Sequence, residues 1–120
     1  MLTIRVVNPG DDRALVTAFM ACQARIYAEF GTEKAALRVT HDEIDDGNVC
    51  IVVAQDERGE LVGGLNFCLR RPGMMLPTET LLEEDPRMQT FTGLRAKIAR
   101  WSTRGLAESS GLWAAAGWRG

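Results

Sequence analysis

The run Val49-Cys50-Ile51-Val52-Val53-Ala54 constrains the fold more than any other stretch. Its β-branched side chains crowd a helix and suit a pleated strand, and a continuous apolar run suits a strand buried on both faces. Gln55 to Glu60 follows, with Gly59 at a hairpin bulge position, and Leu61 to Leu69 returns as a second strand. Gly63-Gly64 inside that return predicts a bulge or a close backbone approach. An antiparallel hairpin at mid-chain therefore sets the frame for the rest.

Before the hairpin, Leu2, Ile4 and Val6 alternate with Thr3 and Arg5, a half-buried strand. Asn8 to Asp12 is a turn that ends in a helix N-cap. Leu15, Phe19, Cys22, Ile26 and Phe30 then recur at helical spacing, and Gly31 is the expected C-cap; Arg25 and Tyr27 lie off that stripe. Residues 32–47 are polar, with a short helix expected from Glu33 to Arg38 and a capped turn starting at Thr40 or Asp42.

After the hairpin, residues 70–90 lose periodicity. Thr78 is expected to cap a helical turn containing Glu79, Leu81 and Leu82. The segment is either a functional loop or a surface loop that tucks Leu76 and Leu81 into the core. Residues 91–107 predict a second amphipathic helix with Phe91, Leu94, Ile98 and Trp101 inward. Arg95, Lys97, Arg100 and Arg104 fall elsewhere on it, as a solvated face or a docking face for an acidic carrier protein. A strand from Ser110 to Ala115 closes the order, which is β-α-(α)-β-β-loop-α-β. That order predicts an α+β (α/β-like), mostly antiparallel sheet with flanking helices, in a single domain.

Composition narrows the chemistry. A net charge of −2 over 120 residues offers no electrostatic footprint for nucleic acid. No apolar run reaches the roughly 18 residues of a membrane span, and the N-terminus lacks a signal-peptide pattern. These features predict a cytoplasmic chain. Cys22, Cys50 and Cys68 are widely spaced and predict reduced thiols rather than a metal site or disulfides. His41, the single histidine, sits beside Asp42 and Glu43 and reads as a cap or surface residue rather than a triad member.

The final stretch carries a resemblance. Glu108-Ser109-Ser110-Gly111-Leu112-Trp113, then Gly117-Trp118-Arg119-Gly120, resembles the central strand of GNAT-type N-acyltransferases and the first position of their pyrophosphate loop. The closer likeness is to the branch of acyl-homoserine-lactone synthases and long-chain N-acyl amino acid synthases. Arg25 followed by Phe30, the acidic run Asp42 to Asp46, Gly63-Gly64-Leu65, and Arg71 to Pro77 are similar to that branch's remaining motifs. Asn66 and Gly111 stand where the branch carries arginines, so the resemblance implies general amine acylation rather than lactone formation.

The resemblance implies direct attack of the amine of a small molecule or amino acid on an acyl-CoA or acyl-carrier-protein thioester, with no metal. Glu108 would be the base. Backbone N–H groups around Leu112, Trp113, Ala114 and Ala115 would face the thioester carbonyl. Arg119 and Gly120 would open the donor loop. Arg25 and Asp45 would bind substrate, the acidic run being either an amine site or a solvated turn. It further implies that the donor loop, its helix and later strands lie beyond Gly120, that a 120-residue chain is poor at acyl transfer, and that the central strand exposes an edge along which a second copy pairs. The contrasting expectation is a non-catalytic α+β module that binds a ligand or partner.

Overall fold

The computed structural model describes residues 1–32 and 47–119. The expected short helix from Glu33 to Arg38, His41, the acidic run with Asp45, and Gly120 lie outside the described residues. The elements are β1 (Thr3–Val7), α1 (Arg13–Glu29), β2 (Val49–Gln55), β3 (Leu61–Leu69), α2 (Pro77–Glu84), a 3-10 segment (Pro86–Thr90), α3 (Leu94–Ser102), β4 (Ala107–Ala114) and a 3-10 turn (Ala116–Trp118). The strands form a four-stranded antiparallel sheet in the order β1-β2-β3-β4, so the fold is α+β. The chain divides into two compact units: residues 1–67 with 109–120, and residues 68–108.

In the first unit the hairpin forms as its residues dictate. Gly59 adopts φ +79 at the turn, and the Asp56 carboxylate accepts from the Arg58 and Glu60 amides. β1 pairs with β2 so that Val7 meets Ile51, Arg5 meets Val53 and Thr3 meets Gln55. Val49, Ile51 and Val53 are buried while Cys50, Val52 and Ala54 are half-buried, so β2 has one core face rather than two. The same register corrects the inward face of β1. Ile4 and Val6 are 65% and 69% exposed, and Val7 alone of that strand reaches the core.

Asp12 caps α1 by accepting the Leu15 amide at 3.0 Å. At the other end Gly31, with φ +68, donates to the Ala28 carbonyl. The buried stripe of α1 is Val16, Phe19, Gln23 and Ile26. It is rotated from the expected one: Phe30 is exposed, Leu15 and Cys22 are half-buried, and Gln23 is fully buried. Phe19 anchors this core. It meets Trp113 edge-to-face at 5.6 Å, and the missing side chain of Gly64 leaves room for it: a Cβ there would stand 2.7 Å from the Phe19 ring.

Gly111 interrupts β4 with φ +66, the left-handed conformation of a bulge residue. Its carbonyl accepts from Gln23 Nε2 at 2.7 Å. The same Gln23 nitrogen reaches Asn66 Oδ1, and Asn66 Nδ2 donates to Ser110 Oγ at 2.9 Å. Gln23 is buried because this network satisfies it.

The second unit has a smaller apolar content, with Leu76, Leu82 and Ile98 buried. Residues 70–90 are not a plain loop. Pro77 opens α2 at its first position, where a missing N–H costs nothing. Leu76, not Thr78, is the cap residue, and Glu79 accepts the Leu76 amide at 3.0 Å. Leu76 is tucked in as expected, whereas Leu81 is 51% exposed and Leu82 takes the inward place. α3 is shorter than its apolar pattern suggests. Phe91 lies before it and is exposed, Trp101 is 47% exposed, and Ile98 is its buried residue. Arg95, Lys97, Arg100 and Arg104 are all exposed.

Candidate functional site

The second unit holds a pocket of about 200 Å³, lined by Leu76, Thr78, Leu94, Ile98, Trp101, Leu106, Ala107 and Glu108. Its walls are aliphatic and aromatic, and Glu108 is the only ionisable group among them. Glu108 stands at the second residue of β4, since the strand begins at Ala107 rather than at Ser110 as expected. Thr78 holds it there: the Thr78 amide donates to Oε2 at 3.1 Å and the Thr78 hydroxyl to Oε1 at 2.8 Å. Thr78 is in the first turn of α2, so Glu108 also satisfies one of the helix's free N–H groups. Each carboxylate oxygen accepts one hydrogen bond and keeps a lone pair for a further donor.

A second contact steadies the same segment. Arg70 Nε meets Glu79 Oε1 at 2.8 Å and Arg70 Nη2 meets Oε2 at 3.2 Å, a two-point pair. The Arg70 guanidinium, with help from the Leu76 amide, holds the Glu79 carboxyl below its ordinary range despite partial burial. Arg87 does the same to Asp85, which is brought down to about 2. Both carboxylates belong to the caps and turns that shape the pocket segment.

The first unit holds most of the remaining residues singled out in the sequence. Arg119 Nε donates to the Ala114 carbonyl at 2.9 Å, its Nη2 reaches Glu29 at 3.2 Å, and its guanidinium lies 5.0 Å from the Phe30 ring centre. The Tyr27 hydroxyl donates to the Leu112 carbonyl at 3.2 Å. The Ala115 N–H is engaged by the Val62 carbonyl at 2.8 Å, which removes it from the expected set of free donors. Trp113 is buried, and its indole N–H has no partner; Leu112 is 74% exposed. Arg25 is exposed on α1. The structure thus joins Arg119 to Ala114 within one unit and places Glu108 in the other.

The sequence marks Thr78 only as a helix cap; its contact with Glu108, 30 positions away, was not legible there.

The first unit holds an apolar pocket of its own, of about 270 Å³, bordered by Leu2, Ile4, Val52, Leu65, Leu112 and Trp118, among others. Among the described residues no cluster of histidine, cysteine or carboxylate side chains forms a metal site. Among them, too, no helix is long and apolar enough to cross a membrane. Comparison of the chain with protein-family models, curated proteins and solved structures finds no match.

Proposed function

We propose that the chain is a GNAT-type N-acyltransferase domain that moves an acyl group from a CoA or carrier-protein thioester to a small-molecule amine. The observation that carries this reading is the Glu108 carboxylate at the start of β4, opening onto an otherwise apolar pocket. The β-α-β-β-α-α-β order and the antiparallel sheet support it. In the proposed reaction the amine nitrogen attacks the thioester carbonyl carbon. A C–N bond forms, the C–S bond breaks, and the thiolate leaves. Glu108, directly or through one water, takes a proton from the bound ammonium to free the nitrogen lone pair, and the second proton lost on attack goes to the departing thiolate. Thr78, by fixing both carboxylate oxygens, would hold the base in one orientation.

The engagement of both Glu108 oxygens by Thr78 favours a second reading, a non-catalytic module in which Glu108 is a helix cap. Single-turnover incubation of the protein, in excess over a medium-chain acyl-CoA, with a primary amine separates the two. N-acyl product above the uncatalysed background supports transfer. Stabilisation by the amine without product supports the binding module.

A further inference from the structure

We propose that the pocket of residues 68–108 binds a primary ammonium carrying an apolar alkyl or arylalkyl body, with the ammonium at Glu108 and the body among Leu76, Leu94, Ile98 and Trp101. The inference deepens the acyltransferase reading, and rests on it, by naming the acceptor class: an amine with no carboxylate of its own.

The pocket's 200 Å³ exceeds the roughly 150 Å³ of a dry cavity that accepts a benzene ring, so a ring or a chain of about six carbons fits. Its aliphatic walls reward an apolar body in proportion to the area covered. One carboxylate among such walls selects the sign of the ligand. An ammonium is attracted to the Glu108 carboxylate, and a carboxylate is repelled there. Trp101, at 47% exposure, adds an aromatic wall whose face also favours a cation. The Thr78 contacts leave Glu108 lone pairs for an ammonium, which brings three donors. A free fatty acyl chain with an anionic head fits the walls but not the charge. An amino acid brings a carboxylate that the pocket does not match with a cation, since no lysine or arginine lines it.

The test is a titration at pH 7 followed by the indole signals of Trp101, Trp113 and Trp118 in nitrogen–proton NMR, assigned with Trp101→Phe. The probes are n-butylamine, n-pentylamine, n-hexylamine, n-hexanol and hexanoate. The amines should shift Trp101 and leave Trp118 unmoved, tightening by about fourfold per added methylene. Hexanoate should leave Trp101 unmoved. Glu108→Gln should bring hexylamine down to the affinity of hexanol. Leu94→Phe, which fills the pocket from a half-buried position, should abolish binding of both.

The proposal is overturned if hexanoate binds as tightly as hexylamine, if Glu108→Gln leaves the amine's affinity unchanged, or if the shifts fall on Trp118. The same samples with acyl-CoA added keep the two claims apart. Amine binding without N-acyl product upholds this site and removes the acyltransferase reading. N-acylation of a model amine without a Trp101 shift does the reverse.

Discussion

The two units hold themselves together by different means. In residues 1–67 with 109–120, Phe19, Ile51 and Val53 are fully buried, and two polar groups that enter the core, Gln23 and Asn66, satisfy one another and the Gly111 carbonyl. In residues 68–108 the apolar content is small, and side-chain carboxylates do the joining. Glu79 binds Arg70 and the Leu76 amide, Asp85 binds Arg87, and Glu108 binds Thr78. The first design rests mainly on packing, with charged groups at its helix cap and hairpin turn rather than in its core. The second depends on charge, and it is the unit with the carboxylate-bearing pocket. A binding site of that kind needs polar groups near its surface, which a tightly packed apolar core would exclude.

Phe19→Ala should cost the first unit about 3–5 kcal/mol, seen as an early loss of Trp113 fluorescence in denaturant. Gly111→Ala should follow at about 3 kcal/mol, because φ +66 strains alanine and the new Cβ would overlap Asn66 Oδ1 and Gln23 Nε2. Gln23→Leu, close in size but unable to donate, should cost about 1–3 kcal/mol by leaving the Gly111 carbonyl unmatched. If Gln23→Leu is neutral by the same probe, the network is a passenger in an apolar core.

The second unit should answer to a different lever. Glu79→Ala should cost about 1–2 kcal/mol at neutral pH, read from Trp101 in a Trp113→Phe/Trp118→Phe background. Acid should mimic it. Glu79 and Asp85 both titrate below their ordinary ranges in the folded chain, so their stabilisation is complete above the unfolded values of 4.5 and 3.8. It is lost as pH falls from there, through about 2 for Asp85. The Trp101 signal should therefore weaken between about pH 4.5 and 2, and Glu79→Ala should flatten part of that slope. An identical slope in the variant would remove Glu79 as its source.

The same contrast explains what could be read from the sequence. The hairpin, the Asp12 cap, the Gly31 terminus and the α+β order follow from local rules, and each was legible. Three features were not, because their causes are distant in sequence. The inward face of β1 is fixed by its register against β2, and the alternation Leu2-Ile4-Val6 points to the opposite face. Gln23 sits on the core stripe because partners at Asn66 and Gly111 meet it there. α2 was legible as a helical turn through Glu79, Leu81 and Leu82, but its start at Pro77 and the completion of its first turn by Glu108 were not. Of the candidate site, Glu108 was legible as a residue, and its pocket was not: Leu94, Ile98 and Trp101 formed an expected core stripe, yet they line an open cavity.

In the proposed reaction Glu108 serves an amine attacking a thioester. The most direct test of that role is mass-spectrometric detection of N-acyl hexylamine from hexylamine and a medium-chain acyl-CoA, with wild-type protein and Glu108→Gln of equal helical content compared across neutral pH. Product above the chemical background is expected with wild type, and a fall of about 10²-fold or more with Glu108→Gln. Equal product from both proteins, or an intact thioester with wild type, would contradict that role.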